Sequence, residues 1–184
     1  MWNLKLKMRI LMNYFFCFFI IFLSINNLNA QTSNSNANFQ LEELKVAVLS
    51  SNYKKIVDYA YPKIYYPFTK EQMRVAITSM YDKMKDEGFE IVDVTFSAPS
   101  EIVVNGKELQ FTIDENLFVQ TPKGLMKGIY TLIGISGDNG LNWQFIDTSG
   151  KSKEEVLKKI TNLSSELVIK PAEKYLINTT TPSN

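Results

Sequence analysis

Few side chains in this sequence could do chemistry, and they fall in two places. Asp147, in the run Asp147-Thr148-Ser149-Gly150, stands where a strand is expected to end. A carboxylate presented there could act as a general base if burial raised its pKa toward neutral pH. The same four residues also make an ordinary turn. Between Tyr59 and Phe68 the chain crowds Tyr59, Tyr61, Tyr65, Tyr66 and Phe68 around Pro62 and Pro67. Such rings either stack on an apolar or sugar ligand while their hydroxyls hydrogen-bond to it, or simply plug an open end of the fold. Tyr61 and Tyr65, with Tyr130 and Trp143 from the expected sheet, are the candidate ligand-binding residues; for the last two, ordinary core packing is the competing reading.

Absences narrow the chemistry further. The chain has no histidine, and its one cysteine, Cys17, lies in the N-terminal apolar run. Imidazole bases, thiolate nucleophiles, disulfides and the commonest zinc and copper ligands therefore drop out beyond that run, and neither a cofactor nor a metal is expected. Lys and Arg number 20 against 19 Asp and Glu; setting aside Lys5, Lys7 and Arg9 leaves 17 against 19, a net charge near −2. Without a basic surface to neutralise phosphates, nucleic-acid binding is not expected.

Those three basic residues open a leader. They precede an apolar stretch from Ile10 to Ile25, which Asn26, Asn27 and Asn29 break before the small side chain of Ala30. A positive start, an apolar centre and a small residue at the end are the needs of a secretory signal peptide, with cleavage expected between Ala30 and Gln31. The competing reading is a retained anchor, but the apolar run is shorter than the roughly 20 residues a helical span requires. A lipoprotein site is not expected at Cys17, which follows Tyr14, Phe15 and Phe16 instead of small residues. The expected organisation is a signal peptide over 1–30, a flexible linker over 31–38, one domain over 39–170 and a disordered tail over 171–184. The expected location is periplasmic or extracellular, without membrane attachment after cleavage.

Helical spacing at Leu41, Leu44, Val48 and Leu49 predicts one helix, and Asn52 caps a second through Tyr53, Ile56, Val57 and Ala60 that Pro62 ends. Thr69 with Gln72 forms a capping box for a third, bearing Met73, Ala76, Ile77, Met80 and Met84 and ending at Gly88. The period then shortens to two: Phe89–Phe96, an Asn105-Gly106 hairpin, Leu109-Phe111-Ile113 facing inward against a wet Glu108-Gln110-Thr112-Asp114 face, and Leu125–Ile135 covered on both sides. Leu141, Trp143 and Phe145 share one face of a last strand, and Ser152 with Glu155 caps a short C-terminal helix.

The segments 52–61, 101–111 and 139–150 resemble those of the NTF2-like (cystatin-like α+β) superfamily, in particular its small secreted bacterial members of uncharacterised function. The resemblance covers roughly residues 39–165 and rests on element order. It implies an α+β cone, N-terminal helices on a curved antiparallel meander sheet with a short C-terminal helix. Enzymes of that superfamily, such as ketosteroid isomerases and dehydratases, use Asp, Tyr or His in the cone, and none of their positions transfers to this chain. Three functions are expected: a non-catalytic pocket or interaction domain taking a small hydrophobic or glycan ligand; a carboxylate- or tyrosine-dependent isomerase or hydrolase; and a self-associating module, a homodimer through the outer face of the sheet.

Overall fold

In the computed structural model, residues 33–148 and 150–177 are described. The expected signal peptide, its cleavage site at Ala30 and Gln31, and the last residues of the expected tail lie outside them. Among the described residues no helix is long and apolar enough to cross a membrane.

The chain is an α+β fold. Helix α1 (33–49) is followed by α2 (Tyr53–Tyr59), a 3-10 turn (Pro62–Ile64) and α3 (Lys70–Asp86). Strands β1 (Glu90–Phe96), β2 (Val103–Asn105), β3 (Glu108–Thr121), β4 (Gly124–Ser136) and β5 (Gln144–Asp147) come next, then α4 (Lys153–Lys159) and β6 (Glu173–Leu176). The strands form one antiparallel sheet that does not close. Its axis is the long β3–β4 hairpin, with β1 and β2 end to end on the free edge of β3 and β5 and β6 end to end on that of β4. β1 thus pairs with β3 and not with β2, so the strand order departs from a simple meander.

Local chemistry sets the element boundaries. The Asn52 side chain accepts the Lys55 backbone N–H to start α2. Thr69–Gln72 and Ser152–Glu155 each close a reciprocal capping box at the starts of α3 and α4, satisfying backbone donors that have no partner inside the helix.

The expected linker is a correction: residues 33–38 are the first turns of α1. Ala37, Leu41, Leu44 and Ala47 are all buried and recur at helical spacing. Asn36 Nδ2 donates to Gly140 O at 3.0 Å, and Gln40 donates to Leu141 O at 2.9 Å while accepting from Trp143 N at 2.8 Å. The polar side chains that suggested disorder therefore clamp the β4–β5 loop. Gly140, at φ +82°, permits this contact, because a Cβ there would stand 2.0 Å from Ser33 Oγ.

A second correction concerns the wet face of β3. Gln110 is fully buried and Thr112 is buried. They are covered by the segment after α4, whose Ile160, Leu163 and Leu167 pack with Ile133, Ile135 and Ile146. Gln110 accepts from Ser164 N and donates to Asn162 O and Glu108, at 2.8–2.9 Å. Ile133 and Ile135, in the strand expected to be covered on both sides, lie under the chain's own C-terminal segment. A third correction falls in the expected tail, where residues 173–176 form β6 against Met126–Ile129.

Candidate functional site

On the opposite face of the sheet, register places Phe111, Ile113, Glu115, Leu117 and Val119 of β3 beside Gly134, Leu132, Tyr130, Gly128 and Met126 of β4, with Phe145 and Asp147 following on β5. The upper part of this face is solid: Phe111, Ile113, Leu132, Trp143 and Phe145 pack against Ala37, Leu41 and Leu44 of α1. Toward the β3 end near Glu115 the packing opens into a cavity of about 330 Å³.

Its walls are mostly apolar. Leu44 and Val48 come from α1, Ile56 and Tyr59 from α2, Met73, Ile77 and Met80 from α3, and Leu117, Leu132 and Phe145 from the sheet. Three polar groups interrupt them: Glu115, Asp147 and Tyr81. Although α3 contributes to the wall, none of its residues is buried.

Glu115 occupies an inward position in a run of otherwise apolar alternation. Burial first, and the neighbouring Asp147 charge second, push its carboxyl up to about 8, so it is protonated at neutral pH. It keeps some accessible surface because it lines the cavity, while the protein around it withdraws the carboxyl from bulk water. The Tyr81 phenol is pushed up to about 12 by burial and then by Glu115 and Asp147, so it remains a hydroxyl. Its ring is tilted against Tyr53 at 5.3 Å. Among the described residues neither the Glu115 carboxyl nor the Tyr81 hydroxyl makes a hydrogen bond to protein. Tyr59 differs: its hydroxyl donates to Glu43, which also pairs with Lys55 at 2.6 Å. Only its ring serves the cavity wall. Burial and the Glu43 bond raise the Tyr59 pKa, and bonds from Lys55 and Tyr59 lower that of Glu43.

The sequence candidates distribute unevenly around this site. Asp147 lies in the cavity wall at the end of β5, though it keeps substantial solvent exposure. Tyr61, Tyr65, Tyr130 and Trp143 are not among the residues lining the cavity. Tyr61 is buried in the core on the other face, where its hydroxyl donates to Glu108 at 3.3 Å and accepts from Asn162 at 2.9 Å. Tyr65 is buried behind the 3-10 turn. Trp143 packs edge-on against Phe111 at 4.8 Å and is almost fully buried. Tyr130 stands opposite Glu115 in register, but its ring folds back over Gly128, so closely that a Cβ there would lie 2.6 Å away. Lys174 caps that ring at 5.7 Å.

Glu115 and Tyr81 were missed for an identifiable reason. The row Phe111, Ile113, Glu115, Leu117, Val119 carries one acid at an inward position, and Tyr81 lies one helical turn beyond Ile77 on the apolar stripe of α3. Both are readable as charge or hydroxyl on a face otherwise apolar.

The described residues contain no cluster of His, Cys, Asp and Glu that could hold a metal ion. The cavity instead offers a protonated carboxyl, a carboxylate-bearing side chain and a phenol on an apolar floor. No family model, curated protein or solved structure matches this chain.

Proposed function

We propose that this chain is an exported, NTF2-like small-molecule-binding domain whose ligand is predominantly apolar and enters the cavity between α1–α3 and the sheet. The observation that carries the reading is the cavity: about 330 Å³, walled by aliphatic, methionine and aromatic side chains, with its polar groups gathered on few positions. That composition suits a ligand held by burial and oriented by one or two hydrogen bonds. The test is titration with a neutral, environment-sensitive apolar dye such as prodan. Saturable enhancement with a blue shift is expected, and it is expected to disappear in Ile77→Trp, which fills the space from α3. Absence of saturable binding, or binding unchanged in Ile77→Trp, sinks the proposal.

A second reading has its own support. Glu115, held protonated beside Asp147 and Tyr81, is an arrangement in which one carboxyl donates a proton while another accepts one. It favours proton-transfer isomerisation of an apolar carbonyl compound. Turnover of a β,γ-unsaturated ketone that is lost in Asp147→Asn and reduced at least ten-fold in Glu115→Gln would support it; no turnover above buffer would remove it.

A further inference from the structure

Resting on the pocket reading above, the geometry points to a defined ligand class: we infer that the cavity takes an apolar amine, whose ammonium is held between Glu115 and Asp147 while its hydrocarbon part fills the space under α3.

Glu115 and Asp147 share one face of the sheet but stand on β3 and β5, with β4 between them. Asp147 is in register with Leu132 and Ile113, two residues from Glu115, so at ~4.8 Å per strand and ~3.4 Å per residue the two backbone positions lie about 12 Å apart on a diagonal, a span that two inward side chains can close around a small polar group. No Lys or Arg lines the cavity, so an anionic ligand would meet only acids. An ammonium has three donors and a charge that lets Glu115 ionise beside Asp147, whereas a neutral ligand offers no such compensation. The Tyr59, Tyr81 and Phe145 rings in the wall add faces on which a cation is favourable. The cavity-facing Glu115 carboxyl has no hydrogen-bond partner among the described residues, and a ligand donor satisfies it.

The titratable groups around Glu115 are few. Asp147 faces it from β5, Tyr130 stands opposite on β4, Tyr81 and Tyr59 approach from α3 and α2, Tyr53 lies behind Tyr81, and Glu43 of α1 is tied up by Tyr59. Since Glu115 titrates near 8, it is neutral at pH 6 and ionised at pH 9, while Tyr81 and Tyr59, both raised above an ordinary phenol, stay hydroxyls. A cation therefore binds more tightly as pH rises across this window.

The experiment compares 4-phenylbutylamine, 4-phenyl-1-butanol and 4-phenylbutyrate by calorimetry at pH 6 and pH 9, with prodan as the neutral control. The amine is expected to bind about ten-fold more tightly than the alcohol, the difference between a charge-assisted and a neutral hydrogen bond, and the butyrate weakest. Amine affinity is expected to rise from pH 6 to pH 9 and to fall about ten-fold in Glu115→Gln and in Asp147→Asn, with alcohol affinity little changed. If the alcohol matches the amine, or neither substitution separates them, the amine class is overturned while the pocket stands. If prodan binds and none of the three does, the class is overturned as well. If prodan also fails to bind, the pocket reading falls with it.

Discussion

The two faces of the β3–β4 hairpin are built from the same alternating strands and finished in opposite ways. One is sealed by the segment following α4: Ile133, Ile135, Ile146, Ile160, Leu163 and Leu167 interlock, and the one fully buried polar side chain on β3, Gln110, is satisfied from both ends. The other is covered by helices, closely by α1 and loosely by α3, and the space left holds a carboxyl whose own bonds are unfilled. A buried polar group is tolerated on either face, but by different means. Gln110 finds backbone partners, whereas Glu115 surrenders its charge.

The largest test of that contrast is Glu115→Gln followed against pH. The folded-state pKa is raised from an ordinary 4.5 to about 8. Its contribution to stability is thus complete below about pH 4.5 and lost as pH rises through about 8. At about 1.4 kcal/mol per unit, the loss at pH 9 is at most about 5 kcal/mol. Urea denaturation should find Glu115→Gln close to the parent at pH 4 and clearly more stable at pH 9; an offset independent of pH would refute the assignment.

Next in size is a matched pair of truncations. Ile133→Ala on the sealed face should cost about 3 kcal/mol because a fully buried side chain leaves a void, and Ile77→Ala on α3 less than about 1 kcal/mol because its surroundings are already open. Equal losses in denaturation midpoint would erase the distinction between the faces. Gln110→Ala, which strands the Ser164 N–H and leaves the Asn162 carbonyl with the Asn105 side chain as its donor, should cost about 2 kcal/mol and expose the C-terminal segment to faster hydrogen exchange. The smallest effect belongs to Lys170→Ala. Its ion pair with Asp114, at 2.7 Å, sits on the sealed side with the Lys170 side chain more than half exposed to water, so about 0.5 kcal/mol or less is expected, and a larger change would mean that this pair helps clamp the segment.

What was legible beforehand depended on how far along the chain its cause lay. Asn52, the Thr69–Gln72 and Ser152–Glu155 boxes, and the turn at Gly106 act within four residues, and the structure has them where the sequence puts them. Gln110 misled because its partner Ser164 is 54 positions away, and a polar residue in a strand reads as wet unless the cover is known. Residues 33–38 misled because their ordering comes from the loop near Gly140, more than a hundred positions on. Asp147 was chosen for its strand-end position and does reach the cavity wall, whereas Tyr61 and Trp143 were chosen as aromatics in suggestive places and serve the core.

By itself, then, the sequence determined the α+β class, the helix caps, the hairpin turn, the absence of histidine, the single cysteine and the apolar alternation of the long strands. Only tertiary structure decided which face of that alternation would be sealed and which left hollow. Period-two patterning specifies that two faces exist, while the cover on each comes from segments far away in the chain. The same distant packing, by withdrawing Glu115 from water beside Asp147, turned an unremarkable acid in a strand into the most perturbed carboxyl among the described residues.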